Sequence, residues 1–203
     1  ASTGVVTGVS AGTATMTYTI AASGSCGAAT ATRTVTVTAA PSAGTLSGTD
    51  VICSTSSTTF ASTITGGTWS SGNTAVATIN ASTGVITPVS TGTATMTYTV
   101  TGSGGCANAT GQRVVTVTAA PNAGTISGTT AICSNGSTTL SSNGNAGGTW
   151  TSDNTGVATI NSTTGAVTAV SAGTAIMTYT VVGTGGCSNA TATAIFYATK
   201  YQY

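Results

Sequence analysis

The chain repeats itself with a period of 80 or 81 residues. The segment at residues 1–20 returns at residues 81–100 and again at residues 162–181. A second segment, at residues 34–54, returns from Val115 to Ser134. Such a period is too long for one solenoid unit and fits one small β-sandwich domain per repeat. The sequence therefore predicts a tandem array of similar domains.

Within each repeat the apolar residues recur every second position. In the segment from Thr93 to Val100, alanine, methionine, tyrosine and valine share one face, and four threonines share the other. This alternation is typical of a half-buried antiparallel strand. Glycine-rich stretches at residues 66–67, 102–105 and 147–148 predict turns between the strands. Because no stretch has a helical period, we predict an all-β fold of tandem Ig-like antiparallel β-sandwich domains.

The phase of the repeat sets the predicted domain boundaries. A proline-containing stretch at residues 39–44 recurs at residues 119–124, and proline ends a strand ladder and stiffens a linker. With cuts there, residues 39–118 form one Ig-like domain and residues 119–203 form another with a divergent C-terminal strand. Residues 1–38 are then the C-terminal half of an incomplete repeat.

Charged residues are almost absent from the chain. It has 203 residues, of which three are Lys or Arg, two are Asp and none is His or Glu. Charged residues make up 2% of the sequence, against about 25% in an ordinary globular domain. A nucleic-acid site needs a basic patch, and acid–base catalysis needs His or paired carboxylates. We therefore predict no nucleic-acid binding, no enzyme activity, no cofactor and no metal site. No apolar stretch approaches the roughly 20 residues of a spanning helix, so we also predict no membrane insertion.

Five cysteines follow the repeat. Within the predicted domains, Cys53 and Cys106 are 53 residues apart, and Cys133 and Cys187 are 54 apart. Four cysteines allow three connectivities, and equal spacing in equal repeats favours the two bonds inside the domains. The alternatives are buried free thiols or a zinc site, and the zinc site is disfavoured because the chain has no CxxC pair and no histidine. Disulfides indicate an oxidising compartment, so we expect the protein to be extracellular or at the cell surface.

Cys26 has no partner under this scheme. The expected position of its partner falls upstream of residue 1, so we expect Cys26 to be unpaired or bonded to an upstream segment. The incomplete repeat also lacks counterparts of Phe60 and Trp69. Either the chain is a piece of a longer array, which we favour, or another chain supplies the missing strands.

The segment at residues 67–100 resembles the bacterial immunoglobulin-like domain family of group 2. The family hallmark is a Trp-Ser-Ser-Asn-like strand, then Val-Ala-Thr-Val, Gly-Val-Val-Thr and Ala-Gly-Thr-Ala-Thr-Ile. The matching residues here are Trp69, Ser70, Ser71, Val76, Ala77, Thr78, Ile79, Gly84, Val85, Ile86, Thr87, Gly92, Thr93, Ala94, Thr95 and Met96. The match recurs at residues 150–181, and the first repeat matches in its second half only. The cysteine-bearing variant is similar to arrays in large surface proteins of Bacteroidota.

This resemblance implies a seven-stranded Ig-like sandwich. Members of the family occur in adhesins, invasin-like stalks, surface-layer proteins and phage structural proteins. The family has no shared catalytic residue, so the resemblance transfers no functional residue to this chain.

Several residues have predicted structural roles. Trp69 and Trp150 are expected in the core, as are the methionines and tyrosines at equivalent positions: Met16, Met96, Met177, Tyr18, Tyr98 and Tyr179. The two acids do not recur between repeats and are expected to cap turns: Asp50 and Asp153. Two arginines share a register and are expected to protect a sheet edge or to bond to a neighbouring domain: Arg33 and Arg113. Asn-X-Ser/Thr sequons begin at Asn80, Asn108, Asn135, Asn161 and Asn189; chance accounts for them, and glycosylation stays open.

The C-terminal segment at residues 195–203 departs from the repeat and is rich in aromatic residues. One interpretation is a docking strand that pairs with the next subunit through Phe196, Tyr197, Tyr201 and Tyr203. The other is an altered last strand of the domain.

Together these features predict a non-catalytic structural protein that forms an extracellular fibre, filament or surface rod from head-to-tail Ig-like domains. Its expected partners are copies of itself or adjacent repeats of a longer chain, with a surface glycan as a further candidate. The alternatives are the stalk of an adhesin whose binding tip lies elsewhere and a carbohydrate-binding module. The latter is disfavoured because it would need exposed aromatic platforms.

Overall fold

The computed structural model describes residues 3–200. Every regular element among these residues is a β strand. We call residues 3–38 the first module, residues 39–118 the second and residues 119–200 the third. The first module contains β1 (Gly12–Ile20) and β2 (Ala29–Val37).

The second module contains nine strands. In chain order they are β3 (Leu46–Ser47), β4 (Val51–Cys53), β5 (Thr58–Thr59), β6 (Ala61–Ser62), β7 (Thr68–Ser71), β8 (Ala77–Ile79), β9 (Val85–Pro88), β10 (Gly92–Val100) and β11 (Ala109–Thr118). The third module repeats this order with β12 (Ile126–Ser127), β13 (Ala131–Cys133), β14 (Ser137–Thr139), β15 (Ser141–Ser142), β16 (Thr149–Ser152), β17 (Ala158–Ile160), β18 (Ala166–Ala169), β19 (Gly173–Val181) and β20 (Ala190–Thr199).

The second and third modules have the strand order of an Ig-like sandwich. In the second module one sheet has the order β4-β11-β10-β7 and a second has the order β5-β9-β8, while β3 and β6 form a separate short pair. All of these pairs are antiparallel except β4 with β11, which run parallel. The third module has the corresponding orders β13-β20-β19-β16, β14-β18-β17 and β12-β15. Two sheets that divide the strands in this way are the immunoglobulin arrangement, and the predicted fold class is confirmed.

The alternating sequence accounts for the core. In β10, Ala94, Met96 and Tyr98 are buried, while the intervening Thr95 and Thr97 are only half-buried on the outer face. The core of the second module also contains Phe60, Trp69, Ile86, Val115 and Val117, and that of the third module contains Leu140, Trp150, Val167, Met177 and Phe196. Full burial of one such side chain contributes about 2 kcal/mol, so the apolar face of each long strand drives the pairing of the sheets. Both tryptophans are core residues, as the sequence predicts.

Tyr98 ties the core to a turn. Its ring packs beside Trp69, with 4.8 Å between ring centroids. Its hydroxyl donates to the carbonyl of Ile64 and accepts from the amide of Gly67, both at 2.8 Å. A β-carbon on Gly67 would lie 2.5 Å from the tyrosine ring, so the turn requires glycine there. Tyr179 forms the same pair of bonds in the third module, with Asn145 and Gly148.

The first module consists of two paired strands with an uncovered apolar face. β1 and β2 keep the register that β10 and β11 have, with Gly12 opposite Val37 and Ile20 opposite Ala29. Met16 and Tyr18 are 38% and 70% exposed, whereas the equivalent Met96 and Tyr98 are 0% and 5% exposed. Their predicted core role is therefore wrong for this module as the structure describes it, because no strand covers them. An isolated two-stranded hairpin is marginally stable in water, so this face favours a covering partner.

Candidate functional site: the junction between modules

The junction between the second and third modules starts where β4 and β11 end together. These strands run parallel, and Thr118 lies opposite Cys53 in their register. The amide of Ser54 then donates to the carbonyl of Thr118 at 2.8 Å. The side chain of Ser54 accepts from the amide of Ala120 in the linker at 3.1 Å. The linker is thus held against the module that precedes it.

The loop between β19 and β20 of the third module reaches back to this point. The hydroxyl of Thr118 lies 3.1 Å from the carbonyl of Gly185 and 3.3 Å from that of Thr184. A β-carbon on Gly185 would lie 2.4 Å from the methyl group of Thr118. Gly185 also has a φ of +58°, a conformation that glycine adopts without strain. Glycine therefore allows the loop to contact Thr118 closely.

A disulfide closes the junction. Cys53, at the end of β4, is bonded to Cys187 in the loop between β19 and β20, with a Cα–Cα distance of 4.8 Å. Cys53 is 2% exposed. The bond spans 134 residues of sequence and joins two consecutive modules. In the chain-entropy model, closing a loop of that length contributes about 5 kcal/mol to stability.

This pairing corrects the prediction from equal spacing. The predicted bonds Cys53–Cys106 and Cys133–Cys187 are wrong in this structure: Cys106 and Cys133 are free, and Cys187 bonds to Cys53 instead. The reason is geometric. Cys53 lies beside the C-terminal end of β11, whereas Cys106 lies in the loop before its N-terminal end. Ten residues of strand separate these ends by about 30 Å, and a disulfide needs Cα atoms within about 7 Å.

Cys26 is free and exposed. The roles of Thr118 and Ser54 at the junction were not predicted from the sequence. The signals that could have found them are the position of Thr118 directly before the linker and that of Ser54 directly after Cys53.

The first and second modules meet in a similar way. Cys106, in the loop between β10 and β11, has its sulfur 3.7 Å from the carbonyl of Thr38 and 3.9 Å from that of Ala39. Cys187 has the equivalent contacts, at 3.9 Å from Thr118 and 3.4 Å from the carbonyl after it. The loop of each full module therefore lies against the end of the module before it.

The charged residues have structural partners in the second and third modules. Arg113 binds the carboxylate of Asp50, and it also donates to the carbonyls of Leu46 and Gly48. These partners belong to its own module, so the expected bond to a neighbouring domain is wrong, as is the turn-capping role of Asp50. Asp153 accepts the amide of Ile176 at 2.6 Å and thereby closes the edge between β16 and β19.

The sequon asparagines also form structural bonds. The side chain of Asn80 accepts from the amides of Ser82 and Thr83, and Asn161 does the same in the third module. Asn108 and Asn189 each accept an amide from across the loop that carries the cysteine. Asn135 has a φ of +70°, which asparagine tolerates better than most residues. Packing and turn geometry thus explain these positions without a glycan.

The proposed docking residues divide into three cases. Phe196 is fully buried in the core of its own module, so its predicted docking role is wrong. Tyr197 is 45% exposed and lies opposite Ala131 in the pair β13–β20. Tyr201 and Tyr203 lie outside the described residues. Up to Thr199 the segment is an altered last strand, which was the alternative interpretation.

Within residues 3–200 no group of three or more His, Cys, Asp or Glu side chains could hold a metal ion. The same residues contain no helix of the length and hydropathy that a membrane span requires.

Comparisons with known proteins find likeness in structure alone. No family model matches the chain, and neither does any curated protein sequence. The group 2 resemblance therefore stays a prediction.

Three solved structures are similar to parts of the chain. The first is a C-terminal fragment of intimin in complex with the intimin-binding domain of the translocated intimin receptor; the TM-score is 0.47 at 16% identity, over 76% of this chain and 63% of that one. The second is surface layer protein SbsC, domains 4–9, with a TM-score of 0.28 at 20% identity, over 70% of this chain and 25% of that one.

The third is a SusE-like surface-located polysaccharide-binding protein from the heparin utilisation locus of Bacteroides thetaiotaomicron; the TM-score is 0.30 at 17% identity, over 71% of this chain and 31% of that one. The chain spans less than two thirds of each of these structures. All three TM-scores lie below 0.5, so the assignment of the fold rests on the strand order of the chain itself.

Proposed function

We propose that this chain is a non-catalytic, extracellular structural protein in which Ig-like modules are joined in series to form a fibre or surface rod. The observation that carries the proposal is the disulfide between Cys53 and Cys187, which links one module to the next. A peptide linker alone leaves a hinge between two domains. Here a second covalent connection, together with the contacts of Thr118, restrains that hinge.

The charged groups support a structural function. The carboxylate of Asp50 is bound by Arg113, and that of Asp153 accepts a backbone amide. Both therefore have partners that stabilise strand pairing, and the sequence contains no Glu and no His for acid–base chemistry. Charged residues make up 2% of the sequence, which suits a surface that contacts similar surfaces without charge repulsion.

The disulfide also supports an oxidising location. Disulfides form and persist in secreted and cell-surface proteins and are rare in the cytosol. Cys53 is 2% exposed and Cys187 is half-buried, so the access of soluble reductants to the bond is limited. An extracellular fibre or rod would use such a bond under tension.

Small-angle X-ray scattering of the oxidised chain tests the restraint. We expect the double variant Cys53→Ser with Cys187→Ser to show a broader distribution of dimensions, while its circular dichroism and tryptophan fluorescence stay those of folded modules. The matched control is Cys106→Ser, which leaves the junction bond in place and should scatter like the parent. Identical scattering from the parent and the junction variant would show that the bond does not restrain the modules.

Negative-stain microscopy tests the assembly. A fibre-forming protein should give regular filaments, and a surface stalk should give isolated rods. Compact particles with no serial arrangement of modules would contradict both forms of the proposal.

A further inference from the structure

The cysteines occupy two kinds of position. We call Cys53 and Cys133 strand cysteines, since each ends the short strand parallel to the last strand of its module. We call Cys26, Cys106 and Cys187 loop cysteines, since each lies in the loop before that last strand. In the one disulfide of the described residues, a strand cysteine is bonded to the loop cysteine of the following module.

Cys133 has the same backbone setting as Cys53. It lies opposite Thr199, as Cys53 lies opposite Thr118. The amide of Ser134 donates to the carbonyl of Thr199 at 2.7 Å, which matches the bond of 2.8 Å from Ser54 to Thr118. The hydroxyl of Thr199 donates to the carbonyl of Ile132 at 3.3 Å, and Thr118 has the equivalent bond at 3.0 Å. The strand end around Cys133 therefore has the same bonds as the strand end around Cys53, which contacts the loop of the following module. We call such a strand end the receiving half of a junction. The thiol of Cys133 is free and exposed.

Cys26 lies in a loop of the kind that this half receives. The amide of Cys26 donates to the carbonyl of Ser23 at 3.1 Å, and that of Cys187 donates to the carbonyl of Thr184 at the same distance. Gly24 has a φ of +62°, close to the +58° of the equivalent Gly185. The thiol of Cys26 is also free and exposed.

Among the described residues, the loop that carries Cys106, unlike that of Cys26, already contacts another module of the same chain. The loop lies against the end of the first module, where the sulfur of Cys106 faces the carbonyls of Thr38 and Ala39. A β-carbon on Gly104 of the same loop would lie 2.1 Å from the hydroxyl of Thr38. A second copy of the chain could not place its own module end there without displacing the first module.

We propose that Cys133 of one copy of this chain forms a disulfide with Cys26 of a second copy, so that the junction seen between modules is repeated between molecules. The two exposed thiols lie on complementary halves of one kind of junction, and a second copy presents the loop that the first can accept. The resulting contact is head-to-tail, which allows open chains to grow.

The bond forms by thiol–disulfide exchange with a small-molecule disulfide as the oxidant. The Cys133 thiolate attacks one sulfur of that disulfide, forms a mixed disulfide and releases one small thiolate. The Cys26 thiolate then attacks the Cys133 sulfur and releases the second. Each cysteine loses its proton, the two cysteine sulfurs are oxidised, and the small disulfide is reduced to two thiols.

The test uses the full chain in a buffer of oxidised and reduced glutathione, followed by non-reducing electrophoresis. We expect a ladder of dimers and longer oligomers from the parent chain that collapses to monomer on reduction. Cys26→Ser and Cys133→Ser should each lower the dimer and oligomer bands at least tenfold. Cys106→Ser is the matched control and should leave the ladder unchanged. All three variants keep Cys53 and Cys187, so the restraint within each molecule is tested separately from this bond.

Peptide mapping identifies the bond itself. Trypsin should cut after Arg33, Arg113 and Lys200, which places Cys26 in one fragment, Cys53 and Cys106 in a second, and Cys133 and Cys187 in a third. A further cleavage after Met177 with cyanogen bromide separates Cys133 from Cys187. In the Cys106→Ser oligomer, we then expect the Cys26 fragment to be disulfide-linked to the Cys133 fragment. A ladder that persists in Cys26→Ser, one that is lost in Cys106→Ser, or a parent chain that stays monomeric with glutathione on Cys26 and Cys133 would each overturn the proposal.

Discussion

Arg113 and Asp50 form an ion pair that joins the last strand of the second module to the loop before β4. Nε of Arg113 lies 2.5 Å from Oδ1 of Asp50, and Nη2 lies 2.9 Å from Oδ2. The guanidinium also lies over the ring of Phe60, 5.4 Å from its centroid. The third module has Ala194 and Thr130 at these positions, so the pair is peculiar to the second module among those the structure describes.

We expect Arg113→Met to lower the free energy of unfolding of the second module by about 1–2 kcal/mol, because it removes the ion pair and two bonds to carbonyls. Asp50→Asn should cost about 0.5 kcal/mol, because the Asp50 side chain is half-exposed and water screens the charge. Urea unfolding followed by Trp69 fluorescence, in a Trp150→Phe background, measures the second module. Arg33→Met is the control and should leave the free energy of unfolding of the second module unchanged in this assay. An equal loss from Arg33→Met would mean that the Asp50 contact has no specific effect.

Adding a single methyl group at Gly84 should lower the free energy of unfolding of the second module substantially. It has a φ of +71°, and a β-carbon there would lie 2.1 Å from the carbonyl oxygen of Phe60. Gly66 has a φ of +85° with nothing within 4 Å. We expect Gly66→Ala to cost about 1 kcal/mol for the left-handed conformation alone, and Gly84→Ala to cost about 2 kcal/mol more for the clash. Urea midpoints of the two variants measure the difference. Equal midpoints would show that the backbone at Gly84 relaxes freely.

The sequence predicted the strands and most of the core because those features depend on local alternation. The face that holds Ala94, Met96 and Tyr98 could be read directly from every second residue. The same alternation wrongly predicted that Met16 and Tyr18 are buried. Burial requires other strands to cover the apolar face, and the alternation carries no information on whether such strands are present.

The disulfide could not be predicted from spacing. In a repeat, bonds within modules and bonds between consecutive modules both give constant separations, so Cys53 matches Cys106 and Cys187 equally well. What decides between them is the parallel pairing of β4 with the C-terminal end of β11. That pairing joins residues more than 60 positions apart and involves three residues on the short strand, too few to leave a local signal in the sequence.

Tyr98→Phe tests the hydroxyl that ties the core to its turn. The change keeps the ring beside Trp69 and leaves the carbonyl of Ile64 and the amide of Gly67 without this partner. We expect a loss of about 1–2 kcal/mol in the free energy of unfolding, measured by Trp69 fluorescence. Tyr179→Phe should cost the third module a similar amount, measured by Trp150. Tyr18→Phe is the control, because Tyr18 is 70% exposed, and a comparable loss there would contradict this account.

Phe196 and Tyr197 are adjacent in β20, and their truncation should destabilise the third module to very different extents. Phe196 is fully buried, so Phe196→Ala leaves a cavity and should lower the free energy of unfolding of the third module by about 3–4 kcal/mol. Tyr197 lies on the other face and is 45% exposed, so Tyr197→Ala should cost about 1 kcal/mol or less. Trp150 fluorescence in a Trp69→Phe background measures both.

Sedimentation velocity of the Tyr197→Ala variant then tests whether this tyrosine contributes to self-association, since its module stays folded. Equal destabilisation by the two substitutions would mean that the last strand does not present Tyr197 to solvent, and the remaining case for a docking residue in this strand would be lost.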